Sequence, residues 1–143
     1  MRDETEGVVE SIAETLEIGR KAHVPVVISH HKCAGAQNHG RSVETLALID
    51  RARKDQAVGL DVDPYVAGST VLDPSRFMGA SKVLVTWSVP HPEHAGRDLD
   101  EMAAEMNCAV PEAADKLQPA GAIYFMMDEA DVRRILAYPH SMI

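Results

Sequence analysis

Apolar residues near the start of the chain recur at helical spacing. Between residues 7 and 22, Val8, Val9, Ile12, Leu16 and Ile18 follow a period close to 3.6 while Glu and Lys fill the other face, which predicts an amphipathic helix. The pattern then changes. Val24-Pro25-Val26-Val27-Ile28-Ser29 is short, β-branched and almost uninterrupted, as expected of a strand buried on both faces of a parallel sheet and ending near His30. Residues 32–41, rich in Gly, Asn and Ala, predict a loop. Ser42 is placed to cap a helix over residues 42–54, with Leu46, Ile49 and the stem of Arg53 on one side, and residues 57–62 predict a second strand. Strand, loop, helix and strand in this order make a βαβ unit with parallel strands.

Beyond Asp63-Pro64-Tyr65 the texture differs. Pro74, Pro90, Pro92, Pro111 and Pro119 punctuate a long stretch that reads as an insertion over residues 66–121, separate from the βαβ segment at 1–65. Within it, residues 82–88 predict a strand and residues 99–106 and 110–117 two short helices, the second with Pro111 in its first turn. Residues 122–143 form the return: an extended piece at 122–126, a helix capped by Asp128 and carrying Val132, Ile135 and Leu136, a stop at Pro139, and the opening of a strand at Ser141-Met142-Ile143. The class is α/β. Two or three parallel strands with flanking helices leave apolar edges uncovered, so the pattern describes an arc of a larger sheet, and copies are expected to oligomerise or exchange strands.

Composition narrows the function. The 143 residues are 45% hydrophobic and 25% charged, a globular balance, and 14 Lys and Arg against 22 Asp and Glu give a net charge of -8. Scattered basic residues on an acidic chain exclude nucleic acid and anionic membrane as expected partners. No apolar run approaches the roughly 20 residues of a membrane span, and the acidic start has no signal-peptide shape, so a cytoplasmic location is expected. Cys33 and Cys108, far apart and outside any CxxC pattern, suit reduced thiols.

Candidate chemistry gathers at Ser29-His30-His31-Lys32, where a buried parallel strand ends and where α/β proteins place active sites. Imidazole held at a strand end suits zinc, yet side chains alternate along a strand, so His30 and His31 do not both point the same way. Spacing alone leaves a zinc ligand and a structural hydrogen-bonding histidine both standing. His91-Pro92-Glu93-His94 offers two imidazoles and a carboxylate, but Pro90 and Pro92 oppose the helix on which HExxH sites depend, which favours a solvated loop. The loop at 35–42 matches neither a phosphate-binding nor a dinucleotide fingerprint. Cys33 reads as a small buried thiol and no nucleophile elbow occurs.

Several segments together resemble the N-acyl-D-amino-acid deacylases of the amidohydrolase superfamily. They are Val26-Val27-Ile28-Ser29-His30-His31-Lys32, Gly40-Arg41-Ser42 with Thr45-Leu46, Pro64-Tyr65-Val66-Ala67-Gly68-Ser69-Thr70, Trp87-Ser88 with His91-Pro92-Glu93, Pro119-Ala120-Gly121-Ala122 and Asp128-Glu129-Ala130-Asp131-Val132. The resemblance implies an internal segment of a (β/α)₈ TIM barrel: residues 1–65 as a βαβ part of the catalytic barrel, 66–121 as a lid-like insertion over the active site, and 122–143 as the return helix and start of the next barrel strand. It implies Zn²⁺, with His30 as a ligand, a further histidine and a cysteine ligand before Met1, and the catalytic aspartate just after Ile143. No catalytic residue is then expected within the segment, which alone should be inactive. Lys32 and Ser69 match positions that help hold the carboxylate of the small-molecule N-acyl-D-amino acid.

The family commonly has a tyrosine where this chain has Asp63, which would repel a substrate carboxylate unless it turns away. The implied reaction is hydrolysis of a linear amide by metal-activated water, giving a D-amino acid and a carboxylate. The acyl and side-chain preference and the choice of one or two zinc ions stay open. A cyclic amidase of the dihydroorotase or hydantoinase kind, and a non-catalytic α/β binding module, are the alternatives.

Overall fold

A computed structural model describes residues 1–77 and 79–143. In chain order the elements are α1 (Val8–Ala22), β1 (Val26–Ile28), α2 (Ser42–Ala52), β2 (Val58–Asp61), β3 (Ala67–Val71), β4 (Lys82–Ser88), α3 (Leu99–Glu105), α4 (Val110–Leu117), β5 (Ala120–Phe125), α5 (Glu129–Leu136) and β6 (Ser141–Met142). They fall into two units, Met1–Val66 with Met127–Ile143, and Ala67–Met126. Residues 122–125 belong to β5, whose partners β3 and β4 both lie in the second unit.

The first unit is built on a parallel sheet of order β1-β2-β6, with Val26 opposite Val58, Ile28 opposite Leu60 and Asp61 opposite Met142. Ile28, Val58 and Leu60 join Val8, Ile12 and Leu16 of α1, Leu46 and Ile49 of α2, and Ile135 of α5 in one core. Burying a side chain of this size contributes about 1.5–3 kcal/mol, which is why the helical stripes read from the sequence become the packed faces. Gly19 lets the strand approach α1, because a Cβ there would lie 3.2 Å from the carbonyl oxygen of Val24 and collide with the Val26 side chain. β1 differs from expectation in one respect: Val27 points to the opposite sheet face and is 57% exposed. Its run of β-branched residues is covered by helices on one side only. Exposed Met142 shares this open face, flanking Gly59 together with Val27.

Ser42 does not cap α2. It is the first helical residue, and the cap comes from α5: buried Asp131 accepts hydrogen bonds from the amides of Gly40 (2.6 Å) and Ser42 (3.3 Å), as well as from the Ser42 hydroxyl. Arg134 donates to the same carboxylate at 2.8 Å. Asp128 caps α5 as expected, accepting from the amides of Ala130 and Asp131.

The second unit has its own antiparallel sheet, order β3-β5-β4, and its own core of Leu72, Val83, Val85, Leu99, Met102, Leu117 and Tyr124. The Tyr124 hydroxyl donates to the Val71 carbonyl and accepts from the Asp73 amide, both at 2.8 Å, fixing the exit of β3. Among the described residues no helix is long and apolar enough to cross a membrane.

Candidate functional site

The end of β1 is held by the end of its neighbour. Asp61, the last residue of β2, accepts the His30 amide at 2.6 Å and the Ser29 hydroxyl at 2.9 Å, while its own carbonyl accepts the His31 amide at 2.8 Å. The His30 amide, and after it the Ser29 hydroxyl, hold the Asp61 carboxyl below the usual carboxylate range. This clamp keeps His30 at φ 54, a left-handed conformation that non-glycine residues adopt sparingly and that is enriched at functional positions.

The clamp also separates the two histidines. His31 is fully buried, its Nε2 2.9 Å from the Thr45 hydroxyl and its Nδ1 without a hydrogen-bond partner. Burial, with the neighbouring Lys32 charge, pushes its pKa down to about 4, so it stays neutral as a packing residue. Next to it, Cys33 is also buried, and desolvation raises its thiol to about 12, which excludes a ready thiolate.

His30 faces outward, with Nδ1 3.3 Å from the Asp63 carboxylate. A carboxylate accepts only, so Nδ1 is the protonated nitrogen of this contact, and in the neutral ring that tautomer leaves the lone pair on Nε2, the form in which imidazole binds a metal. That donor chemistry fits zinc at His30. Lys32, only 14% exposed, lies under the same loop: its ammonium donates to the His30 carbonyl at 2.7 Å and to Glu4 at 3.4 Å, and stands 3.7 Å from Asp63. The structure thus brings His30, Lys32 and Asp63 together. Ser69 belongs to the other unit, exposed in the middle of β3 opposite Ile123.

Sequence reasoning missed Asp61 and Glu4. The one available signal for Asp61 was a carboxylate at the carboxyl end of a parallel strand, level with the histidine pair on the adjacent strand.

Comparison with known proteins decides the family. No family model matches the chain. It is 56% identical over 143 residues to a D-aminoacylase and 45% identical over 144 residues to an N-acyl-D-glutamate deacylase, both of Alcaligenes xylosoxydans xylosoxydans, each covering 100% of this chain and 30% of the relative. The chain belongs to the N-acyl-D-amino-acid deacylase family. It spans about 30% of the length of these relatives.

Solved deacylases share the fold. The N-acyl-D-glutamate deacylase of Bordetella bronchiseptica, complexed with zinc and a phosphonate mimic of the tetrahedral intermediate, is 48% identical with a TM-score of 0.94 over 99% of this chain and 30% of that one. A D-aminoacylase with a binuclear metal centre is 55% identical with a TM-score of 0.90 over 100% of this chain and 30% of its own.

Proposed function

We propose that the protein carrying this chain is a zinc-dependent deacylase of N-acyl-D-amino acids, acting on linear amides, and that β1, β2 and β6 are neighbouring strands of its (β/α)₈ barrel. Kinship with deacylases of D-aspartate and D-glutamate derivatives as well as a D-aminoacylase supports the reaction class. The observation that carries the reading is His30 at a parallel strand end, with Nδ1 on Asp63 and Nε2 free. When bound, zinc supplies a Lewis acid that polarises the amide carbonyl and makes hydroxide available near neutral pH.

In this reading His30 holds the metal through Nε2. Asp61 keeps the imidazole in place by gripping its backbone, and Asp63 fixes its tautomer. Lys32 orients the substrate carboxylate, its ammonium acting as a point charge. Because Lys32 already touches Glu4, Asp63 and a backbone carbonyl, substrate must displace at least one of those contacts.

Steady-state assays of the protein carrying this chain, with N-acetyl-D-amino acids, their L enantiomers, dihydroorotate and hydantoins, test the proposal. Release of free D-amino acid from the linear D amides alone is expected. Ring opening of the cyclic amides without cleavage of the linear ones would overturn it.

A further inference from the structure

The second unit carries a cluster of metal-binding side chains that the deacylase reading does not use. His91, Glu93 and His94 each offer a ligand atom, and these atoms lie within 4.8 Å of one another. His91 Nδ1 is 3.1 Å from Glu93 Oε1, and His94 Nε2 is 3.8 Å from the same oxygen. The two imidazole rings face each other obliquely, with centroids 5.5 Å apart.

Proline prevents the α-helix that an HExxH site requires, but it does not keep these residues apart. Pro92–His94 is a single 3-10 turn with Pro92 at its start, and in a turn of three residues His91 and His94 come round to the same side. The turn is anchored at both ends. The His91 amide donates to the Ser88 hydroxyl at 3.2 Å, and that hydroxyl in turn donates to the Leu117 carbonyl at 2.7 Å. On the far side the Gly96 amide donates to the Val85 carbonyl at 2.7 Å. His94 is only 17% exposed, so its ring has few alternative positions.

Glu93 is anionic: its own backbone amide, and then His91, hold its carboxyl below the usual range. Arg97 stands 3.5 Å from His94 Nδ1, but its charge is engaged by Glu105.

We infer that His91, Glu93 and His94 form a second metal site for a first-row divalent ion of the zinc, nickel and copper class, separate from the centre proposed at His30. Two imidazoles and one carboxylate are the ligand types these ions take, at about 2.0–2.2 Å for zinc, which places neighbouring donors roughly 3.4 Å apart. The 3.1 Å pair already meets that spacing, and rotation of the half-exposed His91 ring and the exposed Glu93 side chain brings in the third donor. Three protein ligands leave the remaining positions to water.

The test uses Cu²⁺, the tightest binder of the series. The zinc-loaded protein carrying this chain and its His30→Ala, His94→Ala and Glu93→Gln variants are titrated by calorimetry, and the copper-loaded forms are examined by electron paramagnetic resonance. A copper ion with two nitrogen couplings is expected in the parent and in His30→Ala. His94→Ala should lose one coupling and at least about tenfold in affinity. Glu93→Gln, an exposed change that leaves packing intact, should weaken binding without removing either nitrogen. Copper uptake that is unchanged in both turn variants, or that disappears in His30→Ala, would overturn the inference.

Discussion

The carboxylate of Asp63 stands 3.3 Å from Nδ1 of His30 and 3.7 Å from the ammonium of Lys32, so one acidic side chain serves both the proposed metal ligand and the proposed substrate contact. Toward the histidine its effect is constructive, fixing the tautomer. Toward the lysine it competes with any substrate carboxylate. Asp63→Asn keeps an oxygen to accept from Nδ1 and removes the competing charge. It should lower KM for N-acyl-D-amino acids by up to about fivefold, the scale of a partly exposed ion pair, and leave kcat close to the parent value. A raised KM in steady-state kinetics would contradict the competition.

Asp61 acts through the backbone. Its carboxylate satisfies the His30 amide and the Ser29 hydroxyl, and Asp61→Ala leaves no side-chain acceptor to hold that backbone in place. Zinc affinity, measured by competition with a chromophoric chelator, should fall about 10- to 100-fold, the usual effect of removing an outer-shell partner. Asp61→Asn retains an acceptor for the amide and should lose less. Equal affinity in all three proteins would show that the clamp does not position the ligand.

Asp131 stabilises the first unit. It is buried, it accepts from the start of α2, and it pairs with Arg134. Asp131→Ala orphans the Gly40 and Ser42 amides and leaves Arg134 unpaired there, at a cost of about 3 kcal/mol. Urea denaturation should show this as a lower midpoint, and an unchanged midpoint would refute it.

Gly121 faces Trp87 across the register shift between β4 and β5. A Cβ at Gly121 would run into the indole nitrogen of Trp87 and come within 2.9 Å of the Thr86 hydroxyl. Gly121→Ala should therefore displace the single tryptophan, shift its fluorescence and destabilise the protein by about 1–3 kcal/mol. An unchanged emission spectrum and melting temperature would be inconsistent with this packing.

What the sequence revealed depended on whether a signal was local. Val8, Ile12 and Leu16, or Leu46 and Ile49, announce helices because their spacing matches the turn of the helix whose face they bury. Ser29-His30-His31 announced a strand end and a division of roles between the two imidazoles, and only packing against Thr45 decided which turns inward. β3 was not legible. Ala67, Gly68, Ser69, Thr70 and Val71 carry no apolar alternation, since the strand is largely exposed and is specified by its pairing with β5. Long-range partners were equally silent: the carboxylate that caps α2 lies 91 residues beyond Gly40, and Asp61 lies 31 beyond His30. The turn at His91 shows the opposite failure, where a correct argument against a helix said nothing about a 3-10 turn bringing the same side chains together.

Zinc content and turnover of His30→Ala, measured on the same preparation of the protein carrying this chain, test the central proposal most directly. The account predicts less bound zinc by elemental analysis, together with loss of N-acyl-D-amino acid hydrolysis and a fold preserved by circular dichroism. Parent-like zinc stoichiometry and parent-like turnover in the variant would contradict it.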